Sequence, residues 1–348
     1  MRRPAQALTA ALSALAALGA QAAPAYAASS PGAPAHCTGT APLVCHFDLA
    51  PGTYRVTALL GGATEGRTRV SAETRRTVLA ETVTAAGRPE FRSFTVQVRD
   101  PEGEPTGRPG ARGLDLTFSG AAPLLTGLRI APASRTPQLL LIGDSTVSDR
   151  PAAPYAGWGQ QLPHYFRAGI SVANYADSGE SSRTYLDHPR LFPAVRTLIG
   201  RGDTVLIQLA HNDRRTTEDD YRAHLTTMID EIRARGGRPV LVTPVVRRRF
   251  NPDATLNHDT ALLVNDLGVD LPARMRDLSA TRDVPLIDLT TLTERRVEDL
   301  GPAASKALYL TEEKRDNTHT SLRGATEYAT LVRDALRTQR LVPAHLFR

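Results

Sequence analysis

Apolar residues recur at every second position through the first third of the chain. The runs are Tyr54/Val56/Ala58/Leu60, Phe94/Val96/Val98 and Leu114/Leu116/Phe118. Alternation of this kind sets one side chain in two on a common face, the pattern of a half-buried strand. Clusters of glycine and proline separate the runs, Gly103–Gly113 reading as a hairpin or loop, and no helical period intervenes. The pattern predicts an antiparallel β-sandwich over residues 37–131.

The spacing changes across a short linker at 132–137. Beyond it, continuous apolar runs at 138–142, 171–176, 204–210, 239–245 and 284–289 alternate with helical segments. Thr217–Arg235 is the clearest helix. Thr217 and Asp220 make a capping-box-like start, Tyr221, Leu225, Ile229 and Ile232 form one stripe, and Gly236 follows the end. A second helix is read over Ser321–Gln339. Strands buried on both faces and alternating with helices imply a parallel sheet covered on both sides, an α/β architecture over residues 138–348.

Ahead of the sandwich, Arg2 and Arg3 precede an alanine- and leucine-rich stretch that ends in Ala25-Tyr26-Ala27. This reads as a secretory signal over residues 1–27, cleaved after Ala27 and too weakly apolar for a stable anchor, followed by a linker at 28–36. The mature protein is expected outside the cell, without membrane insertion, and as a monomer. Export gives meaning to the two cysteines. In an oxidising compartment Cys37 and Cys45 form a local disulfide, the alternative being free or metal-bound thiols.

The net charge of +6 rests almost wholly on arginine. It suits an acidic polysaccharide or cell envelope, and it equally suits a genome that favours arginine codons. Aromatics are 5% of the chain with no basic-aromatic pattern, so nucleic acid is not an expected partner. No cluster with metal-ligand spacing accompanies His211, so neither metal nor cofactor is expected.

Four segments carry the candidate chemistry. Leu139–Val147 places Ser145 just past a buried strand, where a side chain is exposed yet rigidly aimed. Asn174–Ser182 reads NYADSGESS, Leu206–Asp213 reads LIQLAHND, and Asp316–His319 reads DNTH. Taken in order, these segments resemble the blocks of the GDSL or SGNH hydrolases. With GDSTV at 143–147, Gly-Trp-Gly at 157–159 and DNTHTS at 316–321, they resemble the rhamnogalacturonan acetylesterase branch. The resemblance implies a three-layer, flavodoxin-like α/β/α domain. The preceding segment resembles a galactose-binding-like jelly roll.

The chemistry asks for these residue types. A serine hydroxyl needs an adjacent base, which is His319, and the base needs an orienting carboxylate, which is Asp316. By resemblance, the oxyanion donors are the Ser145 N–H, the Gly179 N–H and the Asn212 amide. Trp158 is read either as a sugar-stacking ring at the rim or as a core residue. Arg247 and Arg248 are read either as carboxylate ligands or as a solvated loop. Two departures stand out: Ala210 replaces a usual glycine, and Glu180 follows Gly179 where arginine is frequent. Glu180 is expected at the rim, paired with Arg183. The resemblance implies removal of acetyl groups from plant polysaccharide, foremost rhamnogalacturonan. Acetylxylan or general short-chain ester and lipid hydrolysis, and a catalytically silent carbohydrate-binding protein, are the alternatives.

Overall fold

The computed structural model describes residues 26–27, 35–108 and 110–348. The leader read over 1–27 and the linker over 28–36 thus lie outside the described residues, save 26–27 and 35–36. Among the described residues, no helix is long and apolar enough to cross a membrane.

The first strands are β1 (Tyr26–Ala27), β2 (Cys37–Thr38), β3 (Leu43–Phe47), β4 (Gly52–Leu60), β5 (Gly66–Ala72), β6 (Arg76–Thr84), β7 (Glu90–Val98), β8 (Leu114–Ala122) and β9 (Leu125–Pro132). They make two antiparallel sheets, ordered β1-β9-β4-β7 and β2-β3-β8-β5-β6. The alternating residues do what their period requires. Tyr54, Val56, Ala58 and Leu60, the Phe94 run and the Leu114 run all fall in one core between the sheets. Cys37 and Cys45 are register partners on β2 and β3 and are joined by a disulfide.

The second part begins with β10 (Gln138–Gly143) and continues through β11 (Ser171–Asn174), β12 (Thr204–Gln208), β13 (Arg238–Val242) and β14 (Leu286–Ile287). All four strand pairings are parallel, and the order is β11-β10-β12-β13-β14. This is the doubly wound order in which the chain reverses direction between the first and third strands. Period-two alternation splits the core onto the two faces. Leu139 and Leu141 join Trp158, Tyr328 and Val332 on one side, while Leu140 and Ile142 join Tyr185, Tyr221 and Ile229 on the other. The long helix runs Glu218–Ala234, with the Thr217 hydroxyl accepting the Asp220 N–H as its cap. Its predicted stripe of Tyr221, Leu225, Ile229 and Ile232 is wholly buried. A last hairpin, β15 (Tyr309–Leu310) and β16 (Asp316–Thr320), leads into helix Leu322–Thr338.

Buried charge joins the two parts. Asp149, at 0% exposure, lies 3.0 Å from Arg99 Nη2 and 3.3 Å from Arg76 Nε, and both arginines come from the sandwich. Asn174 Nδ2 donates to the other Asp149 oxygen at 2.8 Å. Charges withdrawn from water are tolerable only when paired in this way. Glu73 lies beside this cluster less comfortably. Both its carboxylate oxygens are buried without a hydrogen-bond partner among the described residues. Burial pushes its carboxyl up to about 8, against the opposing pull of Arg76.

A carboxyl raised by folding stabilises the fold fully below its unfolded value, and the gain is lost as pH rises through the folded value. The thermal midpoint should therefore fall more steeply between roughly pH 4.5 and pH 8 in the wild type than in Glu73→Gln. Equal slopes in the two proteins would show that Glu73 ionises without penalty.

Candidate active site

β10 ends at Gly143, and the next residues turn sharply rather than continuing the sheet. The Asp144 side chain holds that turn: its Oδ1 accepts the Thr146 N–H at 2.9 Å and the Thr146 hydroxyl at 2.7 Å. Its Oδ2 faces His211 Nδ1 at 2.9 Å, tying the turn after β10 to the turn after β12. Burial acts to raise the Asp144 carboxyl, but the His211 ring and the Thr146 bonds outweigh it and hold it below the usual value. Ser145, 9% exposed, is thus fixed at the point where the strand order reverses.

His319 reaches Ser145 from the β15–β16 hairpin. Its Nε2 lies 2.9 Å from Ser145 Oγ, and its Nδ1 lies 2.7 Å from Asp316 Oδ2. A carboxylate can only accept, so Nδ1 carries the proton and Nε2 is left to accept from the serine. Asp316 Oδ1 also accepts the N–H groups of Thr318 at 2.8 Å and His319 at 3.0 Å. Burial would raise this carboxyl, yet those bonds together bring it below its ordinary value, so it stays ionised beside the ring. The edge of the Tyr155 ring meets the imidazole, with centroids 5.6 Å apart.

Two more segments close around the serine. Gly179 has φ +87, a left-handed conformation that side chains with a Cβ resist, and nothing lies within 4 Å of where that Cβ would stand. Asn212 Nδ2 donates to the Glu180 carbonyl at 3.0 Å, which fastens the turn after β12 to the Gly179 loop and leaves a second N–H to spare. Among the described residues, neither the Ser145 nor the Gly179 backbone N–H donates to a protein acceptor. Asp213 accepts the Ser182 N–H at 2.9 Å and its hydroxyl at 2.5 Å, anchoring the far end of that loop. The structure thus joins Ser145, His319 and Asp316 directly, and fastens the loops of Gly179 and Asn212 to each other and, through Asp177 and His211, to the serine turn.

Three expectations at the rim are corrected. Trp158 is 1% exposed and donates from its indole to Gln208 Oε1 at 2.9 Å, so it is a core residue with no face for a sugar. Arg183 pairs with Asp187 at 3.5 Å and not with Glu180, because one helical turn brings that carboxylate to it. Glu180 keeps one carboxylate oxygen buried and unpartnered among the described residues. Arg247 and Arg248 are not free ligands either. Arg247 Nη2 donates to the His211 carbonyl at 3.0 Å, and Arg248 is held by Ser305, Asn317 and Pro302. Arg248 and Arg249 nonetheless line, with Phe250 and Asn317, a cleft of about 440 Å³. Asp144, His211, Gln208 and Tyr155 went unassigned in the sequence; Asp144 and His211 flank the motif residues and carried that signal.

Residues 141–326 match the GDSL-like lipase/acylhydrolase family. A rhamnogalacturonan acetylesterase, RhgT of Bacillus subtilis strain 168, is 38% identical over 215 residues, covering 57% of this chain and 89% of that protein. A probable rhamnogalacturonan acetylesterase of the same organism, YesY, is 31% identical over 204 residues, covering 56% and 89%. The crystal structure of the YxiM protein of Bacillus subtilis superposes with a TM-score of 0.54 at 23% identity, over 91% of this chain and 89% of that one.

The Gly-Trp-Gly turn owes its second glycine to packing against the serine turn. A Cβ on Gly159 would stand 2.5 Å from the Val147 carbonyl oxygen and 2.7 Å from Asn174 Nδ2. Gly159→Ala is expected to cost roughly 1–3 kcal/mol and several degrees of melting temperature. Gly62→Ala, whose nearest contact would be at 3.9 Å, should leave the melting temperature nearly unchanged. Equal melting temperatures in the two variants would refute the packing role.

Proposed function

The chain belongs to the GDSL-like lipase/acylhydrolase family, and on that premise we propose a secreted serine esterase that deacetylates rhamnogalacturonan through an acyl-enzyme. It is a carboxylic ester hydrolase of the carbohydrate acetylesterase kind. The observation that carries the mechanism is the unbroken chain from Ser145 Oγ through His319 to Asp316, at 2.9 and 2.7 Å.

In this reading Ser145 Oγ attacks the acetyl carbonyl carbon while His319 Nε2 takes the hydroxyl proton. Asp316 holds Nδ1–H in place and stabilises the imidazolium. The developing oxyanion takes its hydrogen bonds from the Ser145 and Gly179 N–H groups and from Asn212 Nδ2. Collapse of the tetrahedral intermediate expels the sugar hydroxyl, which receives its proton from His319. Water then repeats the sequence on the acetyl-serine, releasing acetate and restoring the hydroxyl.

The substrate follows from the relatives' activity and from the rim. The cleft lined by Arg248, Arg249 and Phe250 lies beside Asn317, within the segment that carries Asp316 and His319. Arg248, set over the Phe250 ring 5.5 Å from its centroid, is committed to Ser305, Asn317 and Pro302, so the exposed Arg249 beside it is the cation that suits a carboxylated sugar chain. Secretion is supported by the leader-like residues 1–27 and by the disulfide, which persists in oxidising compartments. The division into a sandwich over 37–131 and a catalytic domain over 138–348, and the galactose-binding-like character of the sandwich, belong to this same reading.

Ser145→Ala should lower p-nitrophenyl acetate turnover by several orders of magnitude, and near-wild-type turnover would refute the nucleophile. Asn212→Ala should depress kcat by roughly 100–1,000-fold with little change in KM. A loss confined to KM or to thermal stability would make Asn212 a binding or turn residue. Acetate release should be faster from acetylated rhamnogalacturonan than from acetylated xylan, with the preference weakening as salt rises. The reverse order would overturn the pectin reading.

A further inference from the structure

The loop that carries Gly179 is fastened at one end by its own domain and at the other by the sandwich. Asp213 holds Ser182 from within the α/β part. At the opposite end, Thr106 of the segment between β7 and β8 binds Asp177 twice: its N–H donates to Oδ2 at 2.6 Å and its hydroxyl to Oδ1 at 2.9 Å. Two residues earlier, Glu104 Oε1 accepts the hydroxyl of Ser178, the residue directly before Gly179. Arg150, from the loop that follows the serine turn, completes the cluster by donating to Ser178 Oγ and lying 3.5 Å from Glu104 Oε1. Glu104 and Arg150 are only 15% and 19% exposed, so this pair is poorly screened by solvent.

The sandwich also reaches the other side of the site. Arg75 Nη1 donates to the carbonyls of Arg150 and Tyr155, each at 3.1 Å, and Tyr155 is the ring set edge-on against His319. The Arg99 guanidinium keeps the segment around Glu104 in shape, bonding the carbonyls of Glu102 at 3.3 Å and Gly103 at 3.0 Å while it pairs with Asp149. The segment is therefore built into the interface and does not lie loosely over it.

We propose that Glu104 and Thr106 are positioning residues for ester hydrolysis, through which the β-sandwich sets the geometry of the Gly179 oxyanion loop. The physical case is one of degrees of freedom. Gly179 sits at φ +87 with open space where a side chain would be, so little at the glycine itself restrains its N–H. An oxyanion donor contributes only when held in advance within a few tenths of an ångström of its target. The restraint comes from the neighbours: the Asp177 N–H donates to the Gly143 carbonyl at 3.0 Å, and the side chains of Asp177 and Ser178 are held by the sandwich. The sandwich thus acts on catalysis through contacts, whatever it binds on its other surfaces. This rests on the reading of Gly179 and Asn212 as oxyanion donors.

The test compares the full-length chain with Glu104→Ala/Thr106→Val, with Thr106→Ser, with Asn212→Ala and with Arg112→Ala, the last an exposed residue of the same connecting segment. On p-nitrophenyl acetate, Glu104→Ala/Thr106→Val should lose roughly 10–100-fold in kcat with KM within about twofold, as a small misplacement of a preset group does. Thr106→Ser, which keeps the hydroxyl, should restore at least half of the wild-type kcat on its own, and Arg112→Ala should match the wild type. An unchanged kcat in the double variant, or a loss appearing only in KM or in melting temperature, would overturn the proposal. Should the double variant fail to fold, Thr106→Val alone must show the kcat loss that Thr106→Ser does not; parity of those two would equally overturn it. If Asn212→Ala keeps the wild-type kcat, the oxyanion reading fails and the proposal fails with it. Loss in Asn212→Ala without loss in the sandwich variants would leave that reading standing and refute the proposal alone.

Discussion

A 2.9 Å hydrogen bond between Ser145 Oγ and His319 Nε2 joins groups 174 residues apart in the chain. Neither side chain can seek the other, since Ser145 is short and fixed on a turn and His319 is held within β16. The bond therefore exists only if the β10 exit and the β15–β16 hairpin are delivered to one place, and much of the fold serves that end. Asp144 locks the serine turn and ties it to the β12 exit through His211. Trp158 and Gln208 fill the space beneath, Gln208 passing a hydrogen bond on to the Thr146 hydroxyl at 2.7 Å. Asp316 uses its remaining oxygen to fold its own hairpin.

The cost of this arrangement is buried polarity, and it is met by pairing. Asp149, Arg76 and Arg99 would each be expensive alone in the interface between the two parts. Together with Asn174 they form a linked set that ties the sandwich to the α/β part. Glu73 is the member left over. Both its oxygens are buried without a hydrogen-bond partner among the described residues, and burial favours its neutral form.

Much of this was legible in the sequence, for reasons of period. Alternation in the sandwich strands and the continuous runs of the parallel strands are local, and side chains such as Val56, Leu116, Leu141 and Ile207 are buried as those periods require. The Thr217 cap and its helical stripe were legible on the same terms. The rim was not. Trp158 is buried because Gly157 and Gly159 let its turn press against Val147 and Ser148, a contact no period announces. Arg183 chose Asp187 on its own helix over Glu180, and Arg247 turned inward to a carbonyl. The hold of the sandwich on the catalytic loop was invisible for a related reason. Thr106 and Asp177 are 71 residues apart and belong to different periodic regimes.

The central claim is that Ser145 is a nucleophile activated by His319 and Asp316, and covalent labelling tests it most directly. A fluorophosphonate reacts with an activated serine and leaves a stable phosphonyl ester that mass spectrometry can place on one peptide. The account predicts a single adduct on Ser145, absent in Ser145→Ala and formed far more slowly in His319→Ala. An adduct at another residue, or labelling of Ser145 at the same rate without His319, would contradict it.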